Sequence, residues 1–258
     1  MSTAPLSVWS VTLPDRITAL DWALLDEAEH RRAGRLRDAA AASFVGRRSA
    51  LRRILGRQLR TPPAGVALGR RPCPRCGAAD HGPPLVRGHE ELQVSTSSSG
   101  GLALVAVATG PVGIDLEYRW RTPFDPLAVI RAAASPEEEA YLLGLPDSAR
   151  TAAVHRLWTR KEAVAKAAGV GIAVRLRGLR AVPRLPGPVW VGGVPHGPLA
   201  GSWWVDELPV PDGFVAALAR RTPEPRRVLP RPAGPSGRWD DSGNSDRATT
   251  REVEDSDD

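Results

Sequence analysis

Residues 102–118 read LALVAVATGPVGIDLEY, and this stretch decides the fold of the middle of the chain. Its first seven residues are all apolar, which is typical of a buried strand. The Thr-Gly-Pro at 109–111 favours a turn, and residues 112–118 then alternate between the two faces of a second strand. The sequence therefore predicts two consecutive strands here.

Two carboxylates lie on the second of these strands. Side chains two residues apart point to the same face, so Asp115 and Glu117 project together while Ile114 and Leu116 face the other way. Neighbouring carboxylates repel each other unless a cation neutralises them. Mg²⁺ suits such a pair, because it takes one or two protein carboxylates and completes its octahedron with water and substrate phosphates. A strand with an acidic face toward solvent is the alternative interpretation.

The chain has two lysines against 33 arginines, and both lie in the segment Trp158-Thr-Arg-Lys-Glu-Ala-Val-Ala-Lys166. We interpret this segment as a helix, on which Glu162 and Lys166 stand four residues apart and share one face, in line with Trp158. A lysine supplies a compact charge whose pKa the surroundings can lower, whereas an arginine stays protonated. A surface ion pair on an exposed helix is the alternative.

Together the two segments resemble the signature of the 4'-phosphopantetheinyl transferase superfamily, in its larger, two-lobed, Sfp-like type. Its two main elements are Gly113-Ile-Asp-x-Glu117 and Trp158-Thr-x-Lys-Glu-Ala-x-x-Lys166. Two weaker elements are Val94–Gly100, which is similar to the family's Ser-His-Ser segment, and Ser135-Pro-Glu-Glu138, which is similar to its helix-opening Ser-x-x-Glu. The resemblance extends over residues 8–220.

The resemblance implies an enzyme that moves the phosphopantetheine arm of coenzyme A onto a serine of an apo acyl or peptidyl carrier protein, as a holo-[acyl carrier protein] synthase does. Adenosine 3',5'-bisphosphate leaves. It implies Mg²⁺ held by Asp115, Glu117 and Glu162. Glu162 would take the serine proton, directly or through a water, and Lys166 would contact the diphosphate and protonate the leaving group. Lys161 would be an ancillary phosphate contact.

Three positions depart from the family pattern around the adenosine half of coenzyme A. Ser98 stands where relatives have a histidine that contacts the 3'-phosphate, Ser43 where they have an arginine, and Pro83 where they have the lysine of Gly-Lys-Pro. We therefore expect catalysis to be kept and coenzyme A to be held more loosely at Ser97 and Ser98. Alternatively, arginines of the first helices would hold coenzyme A instead, namely Arg31, Arg47 and Arg48.

The predicted elements fall into two halves. Residues 1–111 form an N-terminal lobe, with a strand at Val8–Leu13, helices over Leu20–Arg60 that break near Gly34, a loop over Arg60–Glu90 and strands from Leu92. Residues 112–220 form a C-terminal lobe with the metal and catalytic motifs, with helices at Asp125–Ala134, from Ser135 and through Ala168, and strands at Leu176–Val182, Trp203–Val205 and Phe214–Ala219. Ser135 is predicted to cap its helix together with Glu138. The resemblance implies an α+β fold, a pseudo-twofold relation between the lobes and a ligand cleft between them.

Composition narrows the setting. No run of eighteen apolar residues occurs, and no basic start precedes an apolar run, so we expect no membrane span, no signal peptide and a cytoplasmic monomer. The net charge is +6, and residues 1–219 carry 27 basic against 20 acidic side chains. No nucleic-acid fold signature accompanies this charge, so it fits better the acidic helix that carrier proteins present beside their serine.

Cys73 and Cys76 form a Cys-Pro-Arg-Cys motif, with His81 and His89 following. Such a motif is half of a zinc knuckle, and either histidine could add a third ligand, but a structural zinc site usually has four. We interpret the pair as two thiols of a reducing compartment.

The composition changes after Arg220. A Pro-, Gly- and Ser-rich stretch with few apolar residues leads to an acidic end, which predicts a disordered tail over 221–258. Two other functions remain open: a paralogue that binds coenzyme A or a carrier protein without efficient transfer, favoured by Ser43, Pro83 and Ser98, and a basic adaptor for nucleic acid, which rests on charge alone.

Overall fold

The computed structural model describes residues 6–79, 81–119, 124–170, 176–221 and 228–233. The helices within these ranges are α1 (Ala19–Trp22), α2 (Glu27–Ala33), α3 (Asp38–Leu59), α4 (Pro126–Ala133), α5 (Pro136–Leu143) and α6 (Asp147–Ala167). The strands are β1 (Ser7–Thr12), β2 (Leu68–Arg70), β3 (Pro84–Val86), β4 (Gln93–Ser99), β5 (Leu102–Ala108), β6 (Val112–Tyr118), β7 (Val189–Val191), β8 (Trp203–Glu207), β9 (Phe214–Arg220) and β10 (Arg231–Pro232). None of the helices in the described part of the chain combines the length and hydropathy that a bilayer span requires.

Three strands of the first half form a sheet that β10, from the C-terminal tail, extends to four strands in the order β10-β1-β5-β4. The pairs β1–β5 and β5–β4 are antiparallel, and β10 adds to the edge of β1 in parallel. The long helix α3 covers one face of the sheet, where Leu51 and Ile54 pack with Ala103, Val105 and Val107 of β5. The even-numbered residues of β5 therefore face the opposite side.

The second half builds an antiparallel sheet in the order β6-β9-β8-β7. The helix α6 packs across β6 and β9, with Leu157 and Val164 in one core with Trp203, Ala217 and Ala219. Each half thus centres on one sheet and one long helix, with β10 from the C-terminal tail as the fourth strand of the first sheet, and the predicted α+β fold is confirmed.

The two sheets meet along β4, β5 and β6. Leu104 and Ala106 of β5 share an apolar cluster with Ile114 and Leu116 of β6 and with Leu218 of β9. Beside this cluster lies the serine seam, which we define as the odd-numbered serines of β4 that face β6: Ser95, Ser97 and Ser99. The backbone N–H of Ile114 donates to Ser95 Oγ at 3.0 Å, and that of Tyr118 donates to Ser99 Oγ at 3.0 Å. Serine hydroxyls therefore replace part of a backbone ladder where one half adjoins the other.

Several predicted elements are confirmed. The first strand lies at β1, and the helical region breaks at Gly34, which caps the end of α2. Ser135 caps α5 in a reciprocal box with Glu138, and Pro136 occupies the first turn. The loop predicted over Arg60–Glu90 differs from the structure, because it contains the short β2–β3 hairpin.

The strand predicted at Leu176–Val182 is wrong. The segment begins as a 3₁₀ turn at Leu176–Gly178 and forms only an isolated bridge, at Arg180. Buried side chains satisfy its backbone instead of a neighbouring strand: Arg160 donates to the carbonyls of Ala181 and Val182 at 2.9 and 2.8 Å. The segment has the apolar pattern of a strand, but it forms a loop whose carbonyl groups accept hydrogen bonds from a side chain of α6.

The predicted disordered tail also differs in part. Residues 228–233 lie along the first sheet, with Trp9 opposite Arg231 and Ser10 opposite Pro232, and the N–H of Ala233 donates to Ser10 O at 2.7 Å. Residues 222–227 and 234–258, including the acidic end, lie outside the described residues.

Candidate active site

Gly113 sets how closely α6 approaches β6. A Cβ placed on Gly113 would lie 2.0 Å from Ala163 O and 2.3 Å from Ala167 N, which no side chain could occupy. The strand backbone therefore lies directly against the helix backbone, and Asp115, two residues further on, comes to lie beneath the face of α6 that carries Glu162 and Lys166.

Asp115 and Lys166 form the centre of the site. The ammonium Nζ of Lys166 donates to Asp115 Oδ1 at 2.6 Å and to Ser97 Oγ at 3.0 Å. Ser97 Oγ in turn donates to Asp115 Oδ1 at 2.9 Å. Asp115 is 3% exposed, whereas the side chain of Lys166 is 26% exposed and so reaches the edge of the site. The serine seam thus brings one residue of the first half into a site built by the second.

Glu162 lies next to this pair in an unfavourable electrostatic position. It is 5% exposed, and burial, together with the charges of Asp115 and Glu117, raises its pKa to about 7 although Lys166 opposes the shift. Its Oε1 and the Oδ2 of Asp115 are both buried, and neither has a hydrogen-bond partner. Buried carboxylate oxygens that lack a donor are expensive, so both oxygens are available to a cation.

Glu117 is bound differently from the other two carboxylates. The indole Nε1–H of Trp158 donates to its Oε1 at 3.3 Å, and Ser99 Oγ donates to its Oε2 at 3.4 Å. Both of its oxygens therefore already accept weak hydrogen bonds. The shared face predicted for Trp158, Glu162 and Lys166 on one helix explains how the tryptophan reaches Glu117, but its role as a donor was missed.

The donor set fits Mg²⁺, with one restriction. Mg²⁺ prefers hard oxygen ligands and needs no more than one or two protein carboxylates. The site offers two buried carboxylate oxygens that have no hydrogen-bond partner. Among the described residues, only Cys73, Cys76 and His81 bring three candidate ligand atoms within 4.8 Å of one another, so Asp115, Glu117 and Glu162 do not reach that spacing as a trio. Asp115 and Glu162 would therefore be the stronger pair of ligands for the ion, and Glu117 the weaker third.

The structure places Lys161 away from the site, and its predicted phosphate contact is corrected. Lys161 is fully buried, and its Nζ donates to Glu138 Oε2 at 2.5 Å and to Ala133 O at 2.7 Å. Glu138 also accepts from the N–H of Ala181 at 2.5 Å. Burial lowers the pKa of Lys161, and Glu138 opposes that shift. The lysine anchors the capping box of α5 to α6 and has no open side toward a ligand.

We expect Lys161→Ala to lower the free energy of unfolding by about 3–5 kcal/mol, because the substitution leaves Glu138 buried without its counter-charge. Urea denaturation of the variant and the parent protein measures this loss. The Michaelis constant for coenzyme A, measured on the folded fraction, should not change. If the variant had normal stability and a raised Michaelis constant for coenzyme A, the result would support the predicted phosphate contact of Lys161.

Of the three arginines predicted to bind coenzyme A, two line one cavity and the third does not. Arg31 and Arg48 line a cavity of about 620 Å³ between α2, α3 and the β2–β3 hairpin. Its other basic residues are Arg32, Arg70 and Arg87. Arg31 is ion-paired with Glu27, and Arg48 with Glu29. Pro84, which ends the Gly82-Pro83-Pro84 element, also borders this cavity.

Arg47 does not line the cavity. Burial, and to a lesser degree the charges of Arg32 and Arg48, lower its pKa. Ser98 does not face Asp115 either: it pairs with Ala103, whose side chain packs on the α3 side of the sheet, so Ser98 points away from β6 while Ser97 points toward it. The sequence does not indicate Arg70 and Arg87, because it predicts a loop where their hairpin lies.

The chain is similar in sequence to proteins of one family. The sequence model of a family described as the 4'-phosphopantetheinyl transferase superfamily matches residues 111–218. The chain is 32% identical over 180 residues to the 4'-phosphopantetheinyl transferase HetI of Nostoc sp., an alignment that covers 68% of this chain and 69% of that protein. It is 28% identical over 134 residues to a 4'-phosphopantetheinyl transferase of Bacillus subtilis, which covers 52% of this chain and 58% of the relative. It is also 36% identical over 96 residues to the transferase psf-1 of Bacillus pumilus, covering 37% and 40%. The matched family region includes Asp115, Glu117, Glu162 and Lys166, and this chain belongs to the 4'-phosphopantetheinyl transferase superfamily.

Proposed function

We propose that the protein is a Mg²⁺-dependent transferase that moves the phosphopantetheine arm of coenzyme A to a serine of an apo acyl or peptidyl carrier protein and releases adenosine 3',5'-bisphosphate. The observation that carries the proposal is the pair of unpartnered buried oxygens, Asp115 Oδ2 and Glu162 Oε1, beside the ammonium of Lys166. A protein that only binds coenzyme A has no use for such a pair, which disfavours the alternative of a paralogue without transfer.

The residues of the site divide the chemistry among them. Glu162 would accept the proton of the carrier serine, directly or through a water. Lys166, positioned by Asp115 and Ser97, contacts the diphosphate and supplies a proton to the leaving phosphate. A Mg²⁺ ion held by Asp115 and Glu162, with Glu117 adjoining, would neutralise charge on the phosphoryl oxygens.

The adenosine half of coenzyme A is proposed to bind in the cavity of the first half, whose lining has five arginines against three carboxylates, Asp26, Glu27 and Glu29. Five arginines line the cavity, and the Gly82-Pro83-Pro84 element borders it through Pro84. Guanidinium groups bind phosphate well, so they would compensate for the uncharged Ser43, Pro83 and Ser98. The surplus of basic side chains over residues 1–219 would attract an acidic carrier protein.

The proposal is tested by incubating the protein with coenzyme A, Mg²⁺ and an apo acyl carrier protein and weighing the carrier intact. We expect the carrier to gain the mass of one phosphopantetheine group and adenosine 3',5'-bisphosphate to appear in equal amount. A carrier whose acceptor serine is replaced by alanine is the control. An unmodified carrier, across acyl and peptidyl carrier proteins, would favour the non-catalytic paralogue.

The raised pKa of Glu162 makes a prediction about pH. Between about pH 4.5 and pH 7 the folded, metal-free protein holds a proton on Glu162 that the unfolded chain has released. Its free energy of unfolding should therefore fall as pH rises through this window, by up to about 3 kcal/mol from this one group. Because Mg²⁺ binds the ionised carboxylate, it should raise the melting temperature more at pH 8 than at pH 6.

The control for this prediction is Glu162→Gln, which does not titrate. The variant should be more stable than the parent at pH 8 without metal and should lose the extra effect of Mg²⁺ there. An equal effect of Mg²⁺ on both proteins would show that Glu162 does not bind the ion.

A further inference from the structure

The loop between β2 and β3 gathers three metal-ligating side chains that the proposed transfer reaction does not use. Cys73, Cys76 and His81 bring one ligand atom each to within 4.8 Å of one another, and no other group of three His, Cys, Asp or Glu in the described ranges does so. Cys76 Sγ and His81 Nε2 are 3.2 Å apart. Both cysteines are free, and Cys73 is 4% exposed.

The local backbone explains how the loop holds this shape. The N–H of Gly77 donates to Cys73 O at 2.8 Å, and the N–H of Cys73 donates to Ala78 O at 2.8 Å, which closes a tight knuckle. Gly77 has a φ of 75°, a left-handed conformation that glycine adopts without strain. Backbone N–H groups of Arg75 and then Cys76 point at the Cys73 sulfur and fix its position in the knuckle.

We propose that Cys73 Sγ, Cys76 Sγ and His81 Nε2 bind a Zn²⁺ ion, with water as the fourth ligand. Two thiolates and one neutral imidazole are the soft and intermediate donors that zinc prefers in tetrahedral sites. Binding displaces the remaining thiol protons to solvent, and the two negative sulfurs balance the charge of the ion. The geometry selects His81 over His89, and it replaces the interpretation of the motif as two unconnected thiols.

The zinc-bound loop would tie the first half of the protein to the helix that carries the catalytic residues. A Cβ on Gly169, just after α6, would lie 3.1 Å from Pro83 Cγ and 3.2 Å from Pro74 Cγ, so the loop packs directly on the end of that helix. Pro74 lies between the two cysteines, and Pro83 follows His81 by two residues. A zinc ion bound to the two cysteines and His81 would hold both prolines in place, and with them the two contacts to Gly169. This role is structural and not catalytic.

The experiment uses the full chain without a histidine tag, produced with zinc in the medium and dialysed against metal-free buffer. We expect mass spectrometry to find about one zinc per chain, and less than about a tenth of that in Cys73→Ser, Cys76→Ser and His81→Ala. His89→Ala is the matched control, because His89 lies in the same region but outside the cluster, and it should keep its zinc. Asp115→Asn should keep it too, which separates this site from the carboxylates.

A second measurement uses the parent protein alone, so it does not depend on how the variants fold. Replacement of zinc by Co²⁺ should give the intense near-ultraviolet thiolate band and the visible absorption of tetrahedral cobalt, and the metal should protect both thiols from alkylation. Two rapidly alkylated thiols after exposure to zinc, or a Cys73–Cys76 disulfide in the protein as isolated, would overturn the proposal. So would zinc that the His89 control loses equally.

Discussion

Asp115→Asn is expected to lower the turnover of phosphopantetheinyl transfer by at least about 10³-fold. The asparagine keeps the shape of the side chain but removes the charge that holds Lys166 at 2.6 Å and the buried oxygen available to Mg²⁺. Asp115 lies in the middle of β6, opposite Ala217, and is nearly inaccessible. Asparagine is therefore a safer substitution than alanine, which would leave a gap beside the lysine.

Turnover should be measured at saturating coenzyme A, together with Mg²⁺ binding and urea denaturation, so that loss of activity is not confused with unfolding. Glu117→Gln is the matched comparison. Trp158 and Ser99 already occupy both oxygens of Glu117, so its loss should cost only about 10–100-fold. Equal losses of turnover at the two positions would show that Glu117 is a metal ligand as important as Asp115. Transfer that persists in excess chelator would show that the reaction does not need the metal.

Lys166→Arg is expected to lower turnover by about 10²–10⁴-fold while coenzyme A still binds. An arginine keeps the positive charge but stays protonated, and its planar fork does not fit the compact position that Asp115 and Ser97 define around Nζ. Steady-state kinetics on one carrier protein separate the two effects, since the Michaelis constant should change far less than the turnover number.

Two companion variants identify what Lys166 contributes. Lys166→Met removes the charge as well as the proton and should weaken coenzyme A binding in addition to turnover. Ser97→Ala removes one of the contacts that position Nζ and should cost less than either. If Lys166→Arg turns over at the parent rate, the lysine acts through its charge alone and another group protonates the leaving phosphate.

The sequence predicted which side chains would lie together because they occupy two short segments. Alternation on β6 placed Asp115 and Glu117, and the four-residue spacing on α6 placed Glu162 and Lys166. The error at Lys161 was also visible in the spacing: positions five apart on a helix differ by about 140° in direction, so Lys161 and Lys166 cannot face one cleft. Only the structure shows that Lys161 points away from the site and donates to Glu138.

The elements that escaped prediction depend on distant partners. The Leu176–Val182 segment has the apolar pattern of a strand, but Lys161 and Arg160 of α6 bind its carbonyls and leave no ladder to join. The Arg231–Pro232 strand exists because β1 offers an edge, which local composition cannot reveal. Secondary-structure propensity describes the conformation that a segment favours alone, whereas the conformation of these two segments is set by their contacts with distant residues.

The contact at Gly113 has a consequence for how the enzyme loses activity. Because α6 and β6 touch backbone to backbone, the carboxylates and the lysine are attached to one cooperative unit and not to loops that open independently. Amides of β6 and of the middle of α6 should exchange with deuterium only through global unfolding. Heat or denaturant should therefore abolish activity in the same transition that unfolds the core, with no active-site melting beforehand.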